Sequence, residues 1–140
     1  FTVFDEIMDK YGLEKIKTIG DAYLAVCGLP LEDNKHAIHA VLAAKEIVTA
    51  LEENNSKFKV RIGINSGDVV AGIVGVKKYA YDIWGDAVNT AARMEQNSEP
   101  GKINISSSTH ELVKDHFTCE YRGKVEAKNK GQIDMYFVVD

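Results

Sequence analysis

Phe1, Phe4, Met8 and Tyr11 recur at helical spacing and Gly12 follows as a C-terminal stop, so the pattern predicts that the chain opens inside a helix. Two β-rich runs come next, Glu14 to Ile19 and Ala22 to Leu29. The Gly20-Asp21 pair between them predicts a tight hairpin with Asp21 at its tip. Asp33 is placed to cap a long helix whose apolar stripe runs Ala37, Val41, Ala44, Val48 and Leu51. Phe58, Val60, Ile62 and Ile64 alternate with polar or small residues, and Asp68 to Val76 is again β-rich, so a second hairpin is expected near Ser66-Gly67. A third helix is predicted over Asp86 to Gln96. After it come a turn at Pro100-Gly101, a short strand from Lys102 to Ile105, a short helix from Ser107 to His116, and a strand pair within Phe117 to Asp140. Helices alternating with sequential hairpins predict an α+β domain, a mixed and largely antiparallel sheet with helices packed against it.

Composition narrows the function classes. The 140 residues form one domain, 1–140, with 45% hydrophobic and 27% charged positions, as expected of a folded globular unit. A net charge of −4 supplies no uniform basic field, which argues against nucleic acid as a partner and requires any bound phosphate to be held by local cations. Cys27 and Cys119 are too few and too scattered for a disulfide framework or a structural zinc site, and a reducing cytosol suits them. No apolar run approaches a membrane span of about 20 residues. A membrane or sensor region would have to lie outside the segment.

The familiar phosphate loops are missing: there is no Gly-x-Gly-x-x-Gly and no Gly-Lys-Ser/Thr loop. His36 and His39 share a helix face without further ligands, so they are expected to be solvated, and His110-Glu111 lacks the second histidine of a zinc protease motif. Two sequons, at Asn54 and Asn104, matter only in secreted chains and are set aside. More informative is Tyr81 to Glu95. Within it Asp86, Asn89 and Arg93 fall at i, i+3 and i+7 on one helix face, opposite a packing face of Ala87, Ala91 and Met94. Such a stripe suits a sugar-phosphate, although charged helix faces are commonly just solvated. Lys15 and Lys17, by period-2 alternation, share one strand face ahead of the acidic tip at Asp21. A lysine there could donate to a base and the tip carboxylate could hold Mg²⁺.

Taken together, Lys15 to Asp21, Arg61 to Gly75, Tyr81 to Glu95 with its Asp-Ile-Trp-Gly-Asp run, and Lys128 to Gly131 resemble the class III adenylyl and guanylyl cyclases. The resemblance spans essentially the whole chain. It implies the ferredoxin-like nucleotidyl cyclase fold, lacking here an N-terminal strand and helix, so that the segment alone is expected to be inactive. It implies that Lys17 and Asp82 recognise adenine, because guanylyl members place glutamate and cysteine there. Asn89 would position the ribose, Arg93 would stabilise the α-phosphate, and Lys128 would contact the terminal phosphates. Asp21 matches the second of two aspartates that hold two Mg²⁺ or Mn²⁺ ions; the first normally lies upstream. The implied reaction converts ATP to cyclic AMP and pyrophosphate. The family's active site forms between two cyclase domains, and since one chain carries both sets of residues, the implied partner is a second copy in a head-to-tail homodimer, cytoplasmic and serving intracellular signalling. A non-catalytic nucleotide-binding regulator of the same fold is the alternative. Asn65, where many relatives carry histidine, is given no catalytic role.

Overall fold

The computed structural model describes residues 2–19, 22–28, 34–53, 60–67, 70–74, 80–127 and 131–139. Helix α1 (Thr2–Tyr11) leads through Gly12, whose φ of 75° is the left-handed stop expected of it, into β1 (Leu13–Ile19) and β2 (Ala22–Cys27). Then follow α2 (His36–Glu53), β3 (Ile62–Ile64), β4 (Val70–Val74), β5 (Ala80–Trp84), α3 (Asp86–Gln96), β6 (Ile103–Ser106), α4 (Ser107–Val113), β7 (Cys119–Ala127) and β8 (Gly131–Val138). The α+β expectation holds.

Among the described residues the strands form an antiparallel β1-β2 hairpin, an antiparallel β4-β5 pair, and a four-stranded sheet ordered β3-β6-β8-β7. Ile19 pairs with Ala22, so the first hairpin closes where Gly20-Asp21 predicted, although those two residues, like Asp33, lie outside the described residues. Among the described residues the second expected hairpin is not formed. Instead of turning back onto β4, β3 pairs in parallel with β6, Ile62 opposite Ile103 and Ile64 opposite Ile105, while β4 pairs with β5. The reason is long-range burial. β6 is covered on both faces and buried at all four positions, and β3 gains more by lying beside it than by pairing with its neighbour in sequence.

Two clusters share α2. Ala37, Val41 and Ala44 pack with Ile103, Ile105 and Val113, whereas Ala43 and Ile47 pack with Ile7 and Met8 of α1 beneath the β1-β2 hairpin. The predicted stripe is buried at Ala37, Val41 and Ala44, and Val48 and Leu51 are partly buried against the two clusters, but α2 buries a second side as well. On α3, Met94 is buried as predicted; its buried companion is Thr90, one turn earlier, while Ala87 and Ala91 are only half-buried. α4 ends at Val113, three residues before the predicted end, and backbone bonds to Val113 O from His116 and Phe117 tighten the exit.

Candidate active site

The β1-β2 ladder carries an irregularity that changes the lysine geometry. Lys15 pairs with Ala25 and Lys17 with Leu24, so the register slips by one residue and Ile16 is the extra residue of a β-bulge. Cross-strand partners share a face, and Ala25 and Leu24, being consecutive, face opposite ways. Lys15 and Lys17 therefore point to opposite sides, against the expectation from strict alternation. Lys15 joins the α1 side, its ammonium 3.7 Å from Asp5 and over the Tyr23 ring. The Tyr23 hydroxyl donates to Asp5 Oδ1 at 2.6 Å. Burial and the Asp5 carboxylate push the Tyr23 phenol well above its usual range, while the same hydrogen bond holds Asp5 below the usual carboxylate value. Lys15 is thereby a structural residue that fastens the hairpin to α1, and the bulge sends Lys17 to the other face.

That strand borders β5, since β1 and β5 are in contact. The backbone of Asp82 lies in β5 opposite Gly72, and β5 runs through Gly85 directly into α3. Gly85 has φ 119°, a conformation natural to glycine, and its carbonyl accepts the backbone N–H of Val88 and Asn89 to start the helix. Asn89 is exposed on α3, one turn before Arg93. The Arg93 guanidinium donates through Nε to the carbonyl of Glu126 at 3.1 Å and through Nη1 to Gln96 Oε1 at 3.2 Å. Both acceptors are neutral, so the bonds orient the guanidinium without neutralising it. Glu126 stands in β7 two residues before Lys128, itself outside the described residues.

The structure thus brings together β1 with Lys17, β5 with Asp82, and α3 with Asn89 and Arg93, whose guanidinium meets the end of β7. Asp21 and Lys128 lie outside the described residues, and each adjoins a described strand end. A carboxylate such as Asp21 is the hard oxygen donor that Mg²⁺ or Mn²⁺ takes. Among the described residues no group of three or more His, Cys, Asp or Glu stands together to add to it.

Several supporting residues were missed. Asn65 donates to the Ala87 carbonyl at 3.0 Å and accepts from Ser106 Oγ at 2.6 Å and Ser108 Oγ at 3.0 Å, tying the start of α3 to the junction of β6 and α4. Asn104, set aside as a chance sequon, is fully buried. A buried asparagine between two isoleucines in a strand was the available signal. His110, set aside above as lacking a zinc protease partner, has a packing contact: its ring stacks on Tyr136 with centroids 3.7 Å apart.

The chain belongs to the adenylate and guanylate cyclase catalytic domain family, whose model matches residues 1–140. It is 36% identical over 143 residues to an adenylate cyclase of Mycobacterium tuberculosis, covering 99% of this chain and 32% of that protein. It is 39% identical over 149 residues to a receptor-type guanylate cyclase of Caenorhabditis elegans, covering 99% of this chain and 13% of that one. The fold matches, with a TM-score of 0.89 and 40% identity over 99% of this chain and 77% of the other, the catalytic core of a rhodopsin-guanylyl cyclase with converted specificity in complex with ATPαS. The chain spans about a third or less of the curated relatives it matches. Among the described residues no helix is long and apolar enough to cross a membrane.

Proposed function

We propose that the protein is an adenylyl cyclase, a cytoplasmic signalling enzyme that acts as a head-to-tail homodimer and converts ATP to 3′,5′-cyclic AMP and pyrophosphate. The observation that carries the proposal is the meeting of β1 and β5, which bear Lys17 and Asp82, at the strand that feeds straight into α3 with Asn89 and Arg93. Relatives of both base specificities match the chain, so the choice of base rests on these two side-chain types. Adenine offers a ring nitrogen acceptor and an exocyclic amine donor; Lys17 would donate to the first and Asp82 accept from the second. Guanine reverses the pattern at both places and would leave a charged group unpaired, which is costly in a desolvated pocket.

Asn89 would hold the ribose with its 3′-oxygen in line with the α-phosphate. As the oxygen–phosphorus bond forms, the hydroxyl proton is released and the bond to the bridging oxygen of the β-phosphate breaks, expelling pyrophosphate. Arg93, oriented from Glu126 and Gln96, would meet the charge that grows on the α-phosphate, and Lys128 would bind the departing phosphates. Asp21 would hold divalent ions in part, and these would supply charge neutralisation and a more acidic 3′-hydroxyl. The test is product analysis on the full-length protein given ATP with Mg²⁺ or Mn²⁺. Cyclic AMP and pyrophosphate in equal amounts are expected; ADP or linear AMP as the product, or no turnover, would contradict the assignment.

A further inference from the structure

The backbone of α3 comes unusually close to β3 at one point. A Cβ built on Gly63 would lie 2.0 Å from the Glu95 nitrogen and 2.5 Å from the Met94 carbonyl carbon, both backbone atoms that no rotamer change can move. The residue paired with Gly63 across the parallel ladder is Asn104, so the two face the same side, toward α3. Asn104 Nδ2 donates to the Met94 carbonyl at 2.9 Å. That carbonyl lies in the last turn of α3, where helical donors run out. Ser98 N bonds Glu95 O, and Asn97 N bonds Arg93 O, so neither of these N–H groups serves Met94. Its acceptor is instead satisfied from the sheet, by a fully buried amide.

Resting on the cyclase reading above, we propose that Gly63 and Asn104 are positioning residues for Arg93: the glycine lets the last turn of α3 touch the sheet, and the asparagine fixes that turn by its carbonyl. The consequence follows from sequence distance. Met94 is the neighbour of Arg93, so the peptide unit that Asn104 holds starts at the Cα next to that of the guanidinium. Release of the Met94 carbonyl lets the turn shift, and a shift on the ångström scale displaces the Arg93 head from the Glu126 carbonyl and from the phosphate it serves. Among the described residues Asn104 Oδ1 has no hydrogen-bond partner, while Nδ2 also lies 3.3 Å from Met135 Sδ, so this buried side chain acts through its donor.

The test compares wild type, Asn104→Leu, Arg93→Ala and the double variant in the full-length protein. Leucine keeps the volume and removes the donor; Asn104→Ser, too short to reach, takes its place if Asn104→Leu does not fold. The expected result is a fall in kcat of about tenfold or more with KM for ATP within about twofold, and a double variant no slower than Arg93→Ala alone. Hydrogen exchange of the 93–98 amides, read in the same proteins, should accelerate while the rest of the chain stays protected. A wild-type kcat in Asn104→Leu, or a loss that multiplies with that of Arg93→Ala, would overturn the proposal. A wild type that makes no cyclic nucleotide would sink the cyclase reading instead; the exchange measurement then decides alone, and unchanged protection at 93–98 overturns the seating role.

Discussion

Arg93, proposed to meet the α-phosphate, shows how little of a side chain's setting is visible in its own sequence position. Its helix face followed from spacing and one acceptor, Gln96, stands three residues on along the same helix, but the other acceptor, the Glu126 carbonyl of β7, depends on how α3 meets a strand 33 residues away. Because those acceptors are neutral, the cation remains available to an anion, and its removal should act on the transition state. In the full-length protein Arg93→Ala is expected to lower kcat by about a hundredfold or more with KM for ATP changed only a few-fold, measured by steady-state cyclic AMP production. A rise in KM at constant kcat would make Arg93 a ground-state binding residue.

The hairpin is where the elements differ from the sequence pattern. Lys15, Ile16 and Lys17 alternate without interruption, so nothing local announced the bulge; it is fixed by the pairing of Ala25 and Leu24 and by the hold of Asp5 and Tyr23 on Lys15. Likewise the helices, the first hairpin and the apolar stripe of α2 were legible because their signals are local and periodic. The parallel pairing of β3 with β6 was not, because it is decided by burial between segments about 40 residues apart. The proposed site residues were named through their motif, whereas Gly63, Asn65 and Asn104, which pack α3 against the sheet, act through contacts distant in sequence. Tyr23→Phe removes the bond between β2 and α1 and should lower the thermal midpoint. The depressed Asp5 carboxyl contributes stability above its ordinary value of 3.8 and loses it as pH falls through the folded value. The raised Tyr23 phenol contributes below its ordinary 10.0 and loses it as pH rises further. Lys15 faces both groups. The difference in midpoint between wild type and Tyr23→Phe should therefore be widest near neutrality and shrink toward both acid and strong alkali. A difference independent of pH would remove this pair from the anchoring of the hairpin.

In the proposed homodimer, the first β-hairpin would serve two sites: Lys17 the nucleotide bound by its own chain, and Asp21 the metals of the partner's. A homodimer of this design is testable by complementation. Asp21→Ala and Arg93→Ala proteins, each expected to be inactive, should on mixing and subunit exchange recover about a quarter of wild-type activity, since half the dimers then hold one intact site of two. Continued inactivity after demonstrated exchange would place both residues in a site made by one chain. The proposed choice of adenine by Lys17 and Asp82 is read out by the ratio of kcat/KM for ATP to that for GTP. It should strongly favour ATP in the wild-type full-length protein and fall by about a hundredfold or more in the Lys17→Glu, Asp82→Cys double variant. A wild type that prefers GTP, or a ratio unmoved by the double substitution, would contradict it.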